Sequence, residues 1–113
     1  ATLPVKQHDD VLAATSHLPH ILAFSFVNSL SQSEYGDALF DFTAGGFKSF
    51  SRTAASDPVM WRDICLDNQT SILEIITSFQ ENLSELADNI RDGDADAIEK
   101  AFINAKITKE KTL

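Results

Sequence analysis

The chain has 113 residues, of which 43% are hydrophobic and 23% are charged, as is typical of one globular domain. Its formal net charge of -8 argues against a nucleic-acid partner, because surfaces that bind nucleic acid usually carry a basic stripe. Cys65 is the only cysteine, so no internal disulfide can form, and no secretory signal is evident; we therefore expect a cytoplasmic protein. The longest apolar stretch (residues 21–30) is too short to span a bilayer, so we expect no membrane partner.

We predict an all-α fold, because no segment alternates polar and apolar residues and because glycine and proline are few. Residues 1–7 are predicted to be an extended linker. The first helix should run from about Asp9 to about Leu30, and the side chain of Asp9 or Asp10 can cap its start. Pro19 should kink this helix near His17, because proline lacks the amide proton that a regular helix needs. The second half of the helix is apolar on nearly every side, which predicts a central buried helix.

Shorter elements are predicted in the middle of the chain. Residues 31–36 are predicted to form a loop, and residues 38–42 a short helix or turn. Gly45 and Gly46 predict a hinge or tight turn, after which residues 47–55 should form a short helix.

A long helix is predicted over residues 57–92, because Asp57-Pro58 is a typical helix start and Gly93 a typical helix end. Asp94 should cap a final helix. Apolar residues of the long helix recur at alternating steps of 4 and 3, which is a heptad seam typical of core packing or of a homodimer interface. The seam consists of Ile72, Ile76, Phe79, Leu83, Leu86 and Ile90.

All three histidines fall within thirteen positions of one another. On an unkinked helix Asp9, Ser16, His17 and His20 share one face, and the small Ala13 between them would leave room for a ligand. The pattern predicts either a polar pocket with imidazole donors for an anion or a capped helix with surface histidines. A metal site is a third alternative, but helices that bind zinc more often space their ligands by four positions, and we expect no metal.

Arg52 follows the glycine pair, and Trp61 lies one turn into the long helix. A planar guanidinium matches a carboxylate with two parallel hydrogen bonds, so Arg52 is either an anion ligand or part of a surface ion pair. Trp61 can wall a pocket or fill a core. The sequence contains no Gly-x-Gly-x-x-Gly motif, P-loop or nucleophile elbow, so the chain alone has no evident site for a nucleotide.

Taken together, these motifs resemble the C-terminal part of the prephenate dehydrogenase family, in collinear order over nearly the whole chain. The resemblance implies an all-helical dimerisation domain of the kind that follows a Rossmann domain, as in 6-phosphogluconate dehydrogenase. The absent N-terminal domain would hold NAD or NADP and the catalytic histidine, and residues 1–7 would be the linker from it. The residues that carry the resemblance are His8-Asp9, Ala13, Ser16-His17-Leu18-Pro19-His20, Ala23, Gly45-Gly46-Phe47, Arg52, Ala54, Ser56-Asp57-Pro58, Met60-Trp61, Asp63-Ile64, Asn68, Gly93-Asp94, Phe102 and Ala105.

The resemblance further implies oxidative decarboxylation of prephenate to 4-hydroxyphenylpyruvate in tyrosine biosynthesis, with arogenate as an alternative substrate and tyrosine as a candidate inhibitor. It implies that Arg52 pairs with the ring carboxylate of the substrate and that His20 is the best candidate for the side-chain carboxylate. Ser16, His17 and Trp61 would line the same pocket.

By the same resemblance, His8 and Asp9 would form a structural pair at the pocket edge, and Gly45 and Gly46 would let a loop approach the ligand. Lys48-Ser49 departs from the pattern, since many members have Arg-Asp there. The isolated chain is expected to be inactive. The alternatives are a regulatory module that binds an aromatic amino acid and a purely structural helical dimer.

Overall fold

The computed structural model describes residues 4–42 and 45–112, and every regular element in those ranges is helical, so the all-α prediction is confirmed. Among the described residues, no helix is both long and apolar enough to cross a membrane. The chain divides between Ile76 and Thr77 into two compact units. The elements are α1 (Val5–Leu12), a π turn (Ala13–His17), α2 (Leu18–Ser31), a first 3₁₀ helix (Gly36–Phe42), α3 (Gly45–Ser51), a second 3₁₀ helix (Arg52–Ala55), α4 (Pro58–Asp67), α5 (Gln69–Arg91) and α6 (Ala95–Glu110).

The first helical segment changes its geometry just before Pro19, as the sequence predicts. Pro19 lies in the first turn of α2, and the preceding π turn has its last amide bond from Leu18 to the carbonyl of Ala13. In a regular helix the proline ring would clash with the carbonyl four residues earlier, and the wider π turn relieves that crowding. The irregularity predicted near His17 is therefore present.

The start of this segment differs from the prediction. α1 begins at Val5, directly after Pro4, and no side chain caps its N-terminus, so the cap predicted at Asp9 or Asp10 is wrong. Of the linker predicted over residues 1–7, the first three residues lie outside the described ranges and the last three form the first turn of α1.

Lys6 links this early turn to α5. Its ammonium nitrogen lies 3.0 Å from carboxylate oxygens of both Asp10 in α1 and Glu74 in α5. Hydrogen bonds to these two carboxylates raise the pKa of Lys6, and hydrogen bonds from Lys6 and from Ser71 lower the pKa of Asp10. Exposed ion pairs of this kind stabilise little, so they hold the first turn of α1 beside α5 only weakly.

Gly45 and Gly46 do not form the predicted hinge. Both lie in the first turn of α3, and neither has a positive φ. Among the described glycines, the left-handed conformation occurs at Gly36 (φ 53°) and Gly93 (φ 63°). The two residues before α3, positions 43 and 44, lie outside the described ranges.

The helix predicted over residues 57–92 is two helices, because the backbone leaves the α conformation at Asn68 (φ −128°, ψ 39°). Its start is confirmed: the Asp57 carboxylate accepts a hydrogen bond from the amide of Val59 at 3.0 Å, and Pro58 is the first helical residue. The break is not visible in the apolar pattern, because its cause is a side chain that bonds to distant residues.

The end of α5 and the start of α6 follow the prediction. Gly93 ends α5 in the left-handed conformation, which glycine adopts without a steric penalty. The carboxylate of Asp94 accepts from the amide of Ala97 at 3.1 Å and so caps α6. Both signals depend only on residues a few positions apart.

Few described apolar side chains are buried, and all of them belong to the first unit. α2 contributes only two, and its Phe26 is 40% exposed, so α2 is less buried in this chain than its composition predicts. The seam of α5 begins at a buried residue but is about half exposed at Leu83 and Ile90, in the second unit. The buried apolar residues are Ala13, Leu18, Ala23, Trp61 and Ile72.

Candidate ligand-binding site

Four polar or aromatic side chains meet in the first unit, and we call them the imidazole–indole cluster. His17 ends the π turn and His20 lies in the first turn of α2. Trp61 lies in the first turn of α4, and Asn68 follows the last residue of the same helix. The cluster thus joins two helical segments that are far apart in the sequence.

Trp61 is the centre of the cluster. The imidazole of His20 stacks on the indole at a centroid distance of 3.8 Å and an interplanar angle of 16°. The imidazole of His17 meets the same indole edge-on, at 6.2 Å and 78°. Trp61 is only 8% exposed, and its Nε1–H has no hydrogen-bond partner among the described residues. Trp61 therefore fills part of the core and also forms a wall against both imidazoles.

Ser16 determines which nitrogen of His20 carries a proton. Nδ1 of His20 lies 2.9 Å from the backbone carbonyl oxygen of Ser16, one helical turn earlier. Because a carbonyl oxygen only accepts hydrogen bonds, Nδ1 must be the donor. Nε2 of His20 is then an acceptor when the ring is neutral and a donor when the ring is protonated.

Asn68 connects the π turn to α1. Its side-chain Nδ2 lies 3.0 Å from the backbone carbonyl oxygen of Asp9 and 3.3 Å from Nδ1 of His17. Burial lowers the pKa of His17, a positive charge on His20 lowers it further, and the carboxylate of Asp9 partly opposes both effects. His17 is therefore neutral at neutral pH.

Ala13 belongs to the predicted histidine face, and His8 is the residue expected to pair with Asp9. Ala13 is fully buried, so it is a packing residue and leaves no room for a ligand. His8 is exposed on α1, where its Nδ1 lies 3.3 Å from the carboxylate of Asp9, and within the described ranges it contacts neither of the other histidines. Ser16 is half-buried. Across the described part of the chain, no three side chains of the types that hold metals lie close enough to share an ion.

Arg52 is the first residue of the second 3₁₀ helix, and its side chain is exposed. That 3₁₀ helix packs against α2, the helix that carries His20. Within the described ranges Arg52 forms no ion pair, so the surface ion pair expected as an alternative is not seen. No contact between Arg52 and either imidazole is seen in these ranges. Gly45 and Gly46 are exposed, and a methyl group on either would meet no atom within 4 Å.

An open groove of about 420 Å³ borders the cluster along α2 and α4, and the sequence did not predict it. Its walls are largely apolar, with a free, half-buried thiol at Cys65. The groove is lined by Ile21, Phe24, Ser25, Asn28, Pro58, Trp61, Arg62 and Cys65.

Asn68 is one of the residues that carry the resemblance, but the sequence alone indicates no role for it. A usable signal exists, since asparagine is a poor residue for a helix interior and is favoured where helices end. An asparagine in the middle of a predicted long helix therefore indicates a break and a side chain with other partners.

The fold and the cluster define the class of protein: an all-helical domain, without a strand in its described ranges, that carries a compact polar site against a buried tryptophan. The family model described as "Prephenate dehydrogenase, dimerization domain" matches residues 4–104. The chain therefore belongs to the family of prephenate dehydrogenase dimerization domains.

Individual relatives agree with this assignment. The chain is 33% identical over 102 residues to a cyclohexadienyl dehydrogenase of Zymomonas mobilis, covering 88% of this chain and 35% of the relative. It is 36% identical over 102 residues to a prephenate dehydrogenase of Bacillus subtilis, covering 89% and 28%. The structure of a prephenate dehydrogenase from A. aeolicus, solved with hydroxyphenyl propionate and NAD⁺, matches with a TM-score of 0.88 and 35% identity, over 96% of this chain and 38% of that one. The chain thus spans about a third of the length of these relatives.

Proposed function

We propose that this chain is the C-terminal domain of a cytoplasmic enzyme that oxidatively decarboxylates prephenate, or arogenate, with NAD or NADP. In that enzyme the domain completes the substrate pocket and forms the dimer. The observation that carries the proposal is the stacking of His20 on Trp61. This contact joins two motifs, distant in the sequence, that the family resemblance assigns to one pocket.

The chemistry of the cluster suits a dianion such as prephenate. His20 already donates from Nδ1 to a backbone carbonyl, so it can bind a carboxylate only through a protonated Nε2. Arg52, with no ion pair in the described ranges and on an element packed against α2, would bind the second carboxylate.

The dinucleotide would be held outside this chain. The described residues contain no β-strand, and the sequence has no glycine-rich phosphate motif. When bound, the nicotinamide supplies the hydride acceptor. The residues of this chain would orient the substrate, because two carboxylates held at separate points prevent the ring from turning.

Exposed apolar residues of the second unit support the dimer. Leu83 and Ile90 on α5 and Phe102 on α6 are each more than half exposed, and a groove of about 520 Å³ follows the apolar face of α6. Side chains of this size at such exposure indicate a surface that another chain covers. We propose that a second copy of the chain covers this surface, in line with the name of the family model.

Tyrosine, which shares an aromatic ring and a carboxylate with the product, is a candidate inhibitor.

The test uses the complete enzyme that contains this chain, with NADH formation from prephenate and from arogenate as readout. Arg52→Ala and His20→Gln should each raise KM at least about tenfold, since a hydrogen bond to a charged group contributes about 1.5–3 kcal/mol. The control is Arg91→Ala, which removes the same charge from an exposed position in α5.

Two results would contradict the proposal. One is an enzyme that oxidises neither compound. The other is a pair of variants with wild-type KM values. Calorimetry on the 113-residue chain separates the regulatory alternative, which requires tyrosine binding that prephenate does not compete with.

A further inference from the structure

The amide of Asn68 has a unique orientation because of one backbone contact. Its Nδ2 lies 3.0 Å from the carbonyl oxygen of Asp9, which can only accept. The nitrogen, and not the oxygen, of the amide must therefore occupy this position. The alternative orientation would place two acceptors against each other.

The same nitrogen faces His17. Nδ1 of His17 lies 3.3 Å from Nδ2 of Asn68, whose second N–H is available to donate. Nδ1 must then be the acceptor, and the ring proton lies on Nε2. His20 has the opposite arrangement, because its Nδ1 donates to the carbonyl of Ser16.

We propose that Asn68 is a positioning residue that holds His17 in the Nε2–H tautomer, so that the two imidazoles present unlike nitrogens to a ligand. His17 offers a permanent N–H donor. His20 offers a nitrogen that accepts from a hydroxyl when neutral and donates to a carboxylate when protonated. His17 can thus donate a hydrogen bond to a ligand oxygen whether His20 is neutral or protonated.

The break between α4 and α5 follows from this role. Asn68 leaves the α conformation although its own amide and carbonyl still take part in helical hydrogen bonds, to Ile64 and from Ile72. A residue that served only to end a helix would not need two further partners on α1 and on the π turn.

The test is nitrogen-15 NMR of the histidine rings in the 113-residue chain near neutral pH. The expected wild-type result is a His17 ring protonated at Nε2 and a His20 ring protonated at Nδ1. Asn68→Asp keeps the shape but replaces the donor by an acceptor, so His17 should move its proton to Nδ1 or take up a second one. The control is Asn82→Asp, which makes the same charge change at an exposed position of α5 and should leave both rings as in wild type.

A wild-type His17 protonated at Nδ1, or a tautomer unchanged in Asn68→Asp, would overturn the proposal. Because the wild-type spectrum decides the first point, the test holds even where the variant folds poorly. A purely structural Asn68 would change the stability of the chain and leave the tautomer of His17 as it was.

The claim that the two imidazoles bind a ligand rests on the proposed function, and it is tested separately by enzyme kinetics. In the complete enzyme Asn68→Asp should lower kcat/KM for prephenate at least about tenfold, mainly through KM, with Asn82→Asp unchanged. A wild-type enzyme that does not use prephenate would refute the proposed function and leave the NMR result standing. An Asn68→Asp enzyme with wild-type kcat/KM but an altered His17 tautomer would refute only the claim that this tautomer serves ligand binding.

Discussion

The ring of His20 lies flat on the ring of Trp61, with 3.8 Å between their centroids. Trp61 is the only tryptophan of the chain, so its emission reports on the stacked ring of His20 and, at a longer distance, on the ring of His17. A protonated imidazole quenches indole emission at van der Waals distance. The contact can therefore be followed in solution without any added label.

We predict that acidification quenches the emission of Trp61 and that His20→Gln abolishes most of the quenching. The control is His8→Gln, because His8 is exposed and has no ring contact within the described ranges. A steady-state fluorescence titration checks the prediction. Equal quenching in His20→Gln and wild type would show that the two rings are not stacked in solution.

The stability of the chain should depend on pH through His17. Its pKa in the folded state lies below the ordinary value of 6.5, so the unfolded chain binds more protons in the interval between the two values. The contribution is fully present above 6.5 and is lost as the pH falls through the lower pKa of the folded state. The free energy of unfolding, from urea titrations at several pH values, should therefore decrease across this interval.

His17→Gln should flatten this dependence, whereas His8→Gln should preserve it. Asp10 contributes at more acidic pH, because its lowered pKa lies below 3.8. An unaltered slope in His17→Gln would assign the effect to another group.

Replacing Gly93 or Gly45 by alanine should change the free energy of unfolding in opposite directions. Gly93 has a φ of 63° and open space around its Cα, so Gly93→Ala costs only backbone strain, about 1–2 kcal/mol. Gly45 lies in the first turn of α3 without a positive φ, so Gly45→Ala should stabilise by up to about 1 kcal/mol. Urea unfolding of both variants checks the prediction, and a destabilised Gly45→Ala would point to an atom from a partner or ligand beside α3.

Replacement of Leu83 should separate the proposed dimer. Leu83→Lys places a charge in the exposed seam of α5 and should raise the dissociation constant at least tenfold, which corresponds to about 1.4 kcal/mol. Glu85→Lys, two residues away and also exposed, is the control. Sedimentation velocity over a range of concentrations measures both. A Leu83→Lys chain that dimerises like wild type would exclude this seam from the interface.

The parts of the fold that could be predicted depend on short-range chemistry. Asp57 and Asp94 cap their helices, and Gly93 ends α5, because each requires only its nearest neighbours along the chain. For these features a local pattern is sufficient. The resemblance assigns His20 and Trp61, which are distant in the sequence, to one pocket, and their rings lie stacked in the structure.

The rest required the tertiary structure. The break at Asn68 could not be read from the apolar pattern, since it depends on a carbonyl in α1 and an imidazole in the π turn. The helical start at Val5 has no side-chain cap that a local pattern could reveal, and one ion pair of Lys6 in its first turn reaches the distant α5. The burial of Ala13 was misjudged because a small side chain at a crossing of elements allows close packing as readily as it leaves a space.

The π turn also sets a requirement on chain length. It inserts one residue beyond regular α geometry before α2, and each residue of a helix corresponds to about 100° of rotation. Because the π turn absorbs that extra residue without rotating the helices on either side, deletion of the exposed Ala14 would close the turn into regular α geometry and leave His20 on its face of the helix. The ring of Pro19 would then meet the carbonyl four positions earlier, so the surplus residue is what allows a proline to stand one position before His20.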